Sequence, residues 1–114
     1  MDDRRRKLEN ERRQTLQRLA TLTGEFDEVV AASRDSNADD EHDPEGATIA
    51  FERAQVIALL TAARQRLADL DDALARHAAG GYGVCEVCGR PIPPERLAVR
   101  PDARTCVACA GRRR

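Results

Sequence analysis

The sequence predicts an all-α protein, an antiparallel coiled-coil hairpin followed by a small four-cysteine zinc finger. Three features of the chain predict it. Apolar residues recur in alternating steps of three and four along two long stretches. A polar segment rich in turn and capping residues separates those stretches. Two Cys-x-x-Cys pairs stand near the end of the chain.

The first helix follows from a seam at Leu8, Thr15, Leu19, Leu22, Phe26 and Val29, with Arg12 filling one gap. This is the a/d pattern of a coiled coil. Leu16 and Val30 are expected to widen the stripe, while Arg6, Glu9, Arg13 and Gln17 lie off it. Asp2 or Asp3 is a suitable cap for the start.

The second helix carries the seam Ile49, Val56, Leu60, Ala63, Leu67, Leu70 and Leu74, interrupted by Arg53 and flanked by Phe51 and Ile57. The run from Ala62 to Leu70 consists almost wholly of good helix formers. Gly80-Gly81 supplies the stop. Between the seams, Asp43-Pro44-Glu45 reads as an N-cap, a proline at the first helical position and an acid in the first turn. A short polar joint between seams of similar length favours a hairpin over the alternative, one long interrupted helix that dimerises. Each arm has roughly 30 residues and so a length of about 45 Å at 1.5 Å per residue. The expected division is 1–79 for the hairpin, with a tip at about 35–46, and 80–114 for the finger and its basic tail.

In the finger, Cys85 and Cys88 form the first pair and Cys106 and Cys109 the second, with 17 residues between the pairs. Two such turns supply four thiolates in a tetrahedron, which saturates Zn²⁺ and leaves no position for an activated water. The metal is therefore expected to be one structural zinc. Two disulfides, or a redox Cys-x-x-Cys, are the competing readings. A thioredoxin-like motif needs a βαβ context that the chain lacks. Gly89 suits a turn that requires a left-handed residue. Ile92, Leu97 and Val99 are too few to hold about 30 residues together, so the metal must supply folding energy. His42 and His77 are surplus to a complete set of four cysteine ligands.

Composition narrows the function. The chain has 114 residues, 34% of them charged and 3% aromatic, and its 41% hydrophobic content comes mostly from Ala, Leu and Val. Its length is that of one ordinary domain at most. The formal net charge of −1 implies no partner by itself. No apolar stretch is long enough for a membrane span or a secretory signal, so a cytoplasmic protein is expected. With four cysteines in a reducing compartment, metal is favoured over disulfides.

Charge is nevertheless unevenly placed. Residues 35–52 hold seven acids (Asp35, Asp39, Asp40, Glu41, Asp43, Glu45, Glu52) and no Lys or Arg. Residues 85–114 hold seven arginines, among them Arg90, Arg96, Arg100 and Arg112 to Arg114, against Glu86, Glu95 and Asp102. An acidic tip is repelled by nucleic-acid phosphates and suits a basic cavity or a bound Mg²⁺. Solvation and helix capping are its plainer explanation. The arginines either bind a partner or neutralise the thiolate-rich metal site.

The hairpin with its acidic tip, then Tyr82-Gly83-Val84-Cys85-Glu86-Val87-Cys88-Gly89-Arg90-Pro91-Ile92, Arg96-Leu97, Pro101 and Cys106-Val107-Ala108-Cys109, resembles the DksA/TraR family of bacterial transcription regulators. The likeness is dense over roughly residues 80 to 110 and looser over the hairpin. It implies a protein that binds RNA polymerase directly, without sequence-specific DNA contact, and inserts its hairpin tip into the secondary channel near the catalytic Mg²⁺. The family's tip motif is Asp-x-x-Asp-x-Ala. Counting back from Cys85, Glu45 and Ala47 fall on the second acid and the alanine, and His42 stands at the first acid. Aligning on Asp-Pro instead places Asp43 on the first acid and Gly46 on the second. Longer members have extra N-terminal residues and a C-terminal helix. This chain is expected to lack both, and its sequence does not support ppGpp as a co-effector.

The functional expectation is a monomeric, non-enzymatic regulator that binds RNA polymerase. Its tip site would comprise Asp39, Asp40, Glu41, Asp43, Glu45 and Ala47, and its base site Arg90, Arg96 and Arg100. The alternatives are a finger that binds nucleic acid or a protein through its basic base, and a coiled coil that dimerises. No open metal position and no nucleophile–base pair supports an enzyme.

Overall fold

The computed structural model describes residues 3–36 and 44–111, without the side chains at 35, 36 and 44–46. The order of elements is α1 (Asp3–Ser36), α2 (Pro44–Ala78), a short α3 (Pro94–Val99) and one 3₁₀ turn (Val107–Cys109). The fold is all-α, an antiparallel two-helix hairpin followed by a small four-cysteine finger. Among the described residues the β structure is confined to one isolated antiparallel bridge between Val84 and Pro91. No helix among them is long and apolar enough to cross a membrane.

The helix ends obey local chemistry. α1 has Asp3 in its first turn and Arg34 in its last, and α2 ends with Arg76 and His77, so the charges oppose the helix dipoles. α2 begins at Pro44, whose missing N–H costs nothing at a helix start. It stops where Gly80 adopts φ +88°, while Gly80 N–H donates to His77 O at 3.2 Å and Gly81 N–H to Arg76 O at 2.8 Å.

Packing groups the chain into two compact units. One unit holds the residues up to Gln14 and those from Leu67 onward, and the other holds Thr15–Arg66. In Thr15–Arg66 the core is Leu22, Val56, Leu60 and Ala63, with Leu19 and Phe26 half-buried beside it. The other unit has two clusters. Leu8, Leu70 and Ala73, all fully buried, pack with Leu74 and Tyr82. Cys85, Ile92, Leu97, Ala103 and Cys109 form the finger core, with Tyr82 and Cys106 against it. Full burial of a leucine contributes roughly 1.5–3 kcal/mol.

Several seam assignments shift in detail. Ala73 is fully buried beside Leu70, while Leu67 is only half-buried. Of the two residues expected to widen the first stripe, Val30 is half-buried and Leu16 is 41% exposed, while Phe51 and Ile57, flanking the second seam, are 70% and 46% exposed. The reason is angular. At about 100° per residue, Phe51 is roughly 200° from Ile49 and turns to the opposite side of α2.

Candidate metal centre

Each cysteine pair sits on a turn closed by backbone hydrogen bonds. In the first, Gly89 N–H donates to Cys85 O and Cys85 N–H to Arg90 O, both at 2.9 Å. Gly89 takes φ +76°, the left-handed conformation its position demands. Ile92 N–H donates to Gly83 O at 2.7 Å and ties the strand-like flanks together. In the second, Cys106 is extended at φ −74°, ψ 170° and leads into the 3₁₀ turn. Cys109 N–H then donates to Cys106 O at 3.1 Å.

The two turns bring the sulfurs of Cys85, Cys88, Cys106 and Cys109 within 4.8 Å of one another. Cys88 Sγ and Cys106 Sγ are 4.0 Å apart. Four Zn–S bonds of about 2.3 Å in a tetrahedron place the sulfurs roughly 3.8 Å apart, so the cluster fits zinc. All four are free thiols. Cys85 and Cys109 are buried, Cys106 is half-buried and Cys88 is exposed. His77 is not in the cluster. Its ring stands 5.6 Å from that of Tyr82.

The electrostatics also favour a cation. Backbone N–H donation from Cys88 holds the Cys85 thiol down to about 6. Cys109 is pushed up to about 12, chiefly by its contact with the Cys106 sulfur and then by burial. Four thiolates this close repel one another, and only a divalent cation lets all of them ionise together.

Polar residues outside the cluster brace it. Arg104 Nε donates to Glu86 Oε2 at 2.9 Å, and its Nη2 lies 3.4 Å from Asp72 Oδ2 on α2. Its guanidinium pKa is raised, first by the hydrogen bond to Glu86. Glu86 N–H donates to Arg104 O at 2.9 Å, so the same two residues are joined twice. Arg76 Nε lies 3.2 Å from Asp72 Oδ2. Tyr82 hydroxyl donates to Pro101 O at 2.7 Å, the Arg4 guanidinium stands 5.6 Å over its ring, and burial raises its pKa. Gly83 is buried with φ +86°, and a Cβ there would stand 3.2 Å from Arg4 Nη1. Sequence patterning did not single out Asp72 or Arg76 for these roles, nor Asp102, whose backbone O accepts from Arg76 Nη2 at 3.5 Å, nor Thr105, whose backbone O accepts from Arg96 Nε. Polar residues carry no periodic signal, and contacts such as those of Arg104 with Glu86 and Asp72 join residues distant in the chain.

The expected tip and base residues are placed as follows. Asp39, Asp40, Glu41, Asp43 and His42 lie outside the described residues, as do Arg112 to Arg114. Glu45 is in the first turn of α2, its side chain outside the description, and Ala47 is exposed on α2. Arg90 is exposed on the first knuckle. Arg96 is half-buried, its Nε donating to Thr105 O at 2.7 Å. Arg100 Nη2 lies 3.8 Å from Asp102 Oδ2.

Residues 80–114 match the family model described as the prokaryotic dksA/traR C4-type zinc finger. With the four clustered cysteines, this makes the bound metal one structural zinc. The solved structure of transcription factor DksA2 from Pseudomonas aeruginosa aligns with a TM-score of 0.57 and 28% identity, over 92% of this chain and 81% of that one. YteA of Bacillus subtilis (strain 168) is 42% identical over 69 residues, which are 60% of this chain and 29% of YteA. General stress protein 16O of the same organism is 33% identical over 90 residues, 75% of this chain and 55% of that protein. The chain thus spans from under a third to about half of the length of these curated relatives.

Proposed function

We propose that this chain, which carries at residues 80–114 the C4-type zinc finger of the DksA/TraR family, is a transcription regulator that binds RNA polymerase directly. In this reading Cys85, Cys88, Cys106 and Cys109 hold one zinc ion as a closed, purely structural site. The segment joining α1 and α2 enters the secondary channel of the polymerase, in the cytoplasm, with the protein acting as a monomer. The observation that carries the reading is a two-helix hairpin followed by a four-thiol cluster within a C4-type dksA/traR finger match, in a fold that aligns with transcription factor DksA2.

The tip supplies the effect. Seven acids without a Lys or Arg between residues 35 and 52 give it a strongly negative potential. Asp43 and Glu45 lead, assisted by Asp39, Asp40 and Glu41, and Ala47, in α2, completes the set. Their carboxylates pair with basic channel residues or perturb a Mg²⁺ held by the polymerase. Arg90, Arg96 and Arg100 contribute to docking at the base. Arg104 is paired with Glu86 and Asp72, so part of the finger's positive charge serves the fold itself. That favours a protein partner over nucleic acid. The reading contains no catalytic step by this chain.

The test is direct capture of purified RNA polymerase by the purified, zinc-loaded chain. Retention at near-stoichiometric levels is expected, with loss of retention when a secondary-channel ligand competes. Capture of nucleic acid but not polymerase would replace this reading with the basic-base alternative.

A further inference from the structure

Val99 and Val107 are 80% and 68% exposed, among the most exposed large apolar side chains of the described residues. Both line one groove of about 360 Å³ on the finger, together with Pro93, Glu95, Arg96 and Arg100. A single exposed valine needs no explanation. Two on one concavity are different in a finger whose buried aliphatic core is only Ile92, Leu97 and Ala103. α3 turns Leu97 inward and presents Val99 outward. Val107 follows Cys106 at the start of the second knuckle, so the knuckle that holds the metal also holds this wall.

The rim of the groove is cationic. Arg96 is oriented by its Nε bond to Thr105 O at 2.7 Å. The Arg100 side chain is 57% exposed, with Nη2 at 3.8 Å from the buried Asp102 carboxylate, beyond hydrogen-bond distance. Against these two guanidinium groups the lining offers one carboxylate, Glu95. Guanidinium groups pair with carboxylates in a fixed, often bidentate geometry.

We infer that the groove of Val99, Val107, Arg96 and Arg100 is a docking surface for an acidic protein segment carrying an apolar anchor side chain. The anchor covers the two valines and its flanking carboxylates meet the two arginines. A groove of about 360 Å³ is at the small end of ligand pockets, enough for one anchor and its neighbours. A single-stranded nucleic acid is a poor occupant, because it asks for aromatic stacking platforms and the lining contains none. The inference goes beyond polymerase binding and stands whether or not polymerase is a partner.

The experiment titrates the isotope-labelled, zinc-loaded full chain with the peptide acetyl-Asp-Glu-Leu-Phe-Asp-Glu-amide and follows backbone amide shifts. Three controls accompany it, a peptide with Ala at both anchors, a peptide with Lys at every acid, and inorganic phosphate. Shifts concentrated at Arg96, Val99, Arg100 and Val107 are expected, with at least tenfold weaker binding of the Ala and Lys peptides. The double variant Val99→Ser, Val107→Ser should weaken binding at least tenfold at unchanged zinc content, since both side chains are exposed. Arg100→Gln should weaken it and flatten its dependence on salt. Shifts centred elsewhere, equal binding of the Lys or Ala peptide, displacement of the peptide by phosphate at comparable concentration, or an unaffected double variant would each overturn the proposal. So would concentration-dependent shifts at the two valines without peptide, which assign the groove to a second copy.

Discussion

Arg12 Nε lies 2.6 Å from Asp71 Oδ1, joining α1 to α2 at the one step of the first seam where a charged residue replaces an apolar one. The gap in the pattern is thus a cross-helix ion pair, and it helps fix which residues of the two helices face each other. Both side chains remain about half exposed, at 40% and 50%, so water screens the pair.

The Arg12–Asp71 pair should therefore contribute little to stability. A double-mutant cycle with Arg12→Ala and Asp71→Ala is expected to give a coupling of about 0.2–1 kcal/mol that shrinks at high salt. Chemical denaturation of the four proteins measures it. A coupling well above that range would mean the pair is less hydrated than its exposure indicates.

Leu70 is the more consequential neighbour. It is fully buried against Leu8 and Ala73. Leu70→Ala should cost roughly 2–5 kcal/mol by lost transfer energy and the cavity left behind. Phe51→Ala, at a side chain 70% exposed, should change stability by well under that amount. Thermal melts that rank the two variants in the opposite order would refute the core described for the helices.

Removal of zinc should act locally. The finger core has few aliphatic side chains, so its fold depends on the four thiolates and the metal. Chelation, or Cys88→Ser, should release about one zinc per chain and collapse the finger. The packing of Leu22, Val56, Leu60 and Ala63 lies in the other unit and should persist. Tyr82 packs against both the finger core and the Leu8–Leu70 cluster, so that cluster should loosen with the finger. Metal analysis, far-ultraviolet circular dichroism and amide exchange separate these effects.

At the tip, Asp43→Asn combined with Glu45→Gln should leave folding and polymerase capture largely intact, because Asn is as good an N-cap as Asp. The same change should remove most of the effect on transcription in a purified system. An undiminished effect would reduce the hairpin to a docking or plugging element.

The two seams, the proline start of α2, the Gly80 stop and the four zinc-binding cysteines were legible because each is a local signal with one physical reading. Helical periodicity selects the face that must be buried, Gly80 tolerates the positive φ that ends a helix, and two Cys-x-x-Cys turns offer thiolates at zinc-binding spacing. The sequence by itself therefore determined the helices, the finger and the metal chemistry. Only the tertiary structure decided that Arg12 finds Asp71, that Arg104 joins Glu86 to Asp72, and that Ala73 rather than Leu67 is fully enclosed. It also decided that Val99 and Val107, eight positions apart in the chain, share one groove. Polar and surface contacts of this kind depend on the rotation of the helices about their axes and on where the metal-held turns meet α3. Neither leaves a periodic trace in the chain, because both are set by packing between residues distant in sequence.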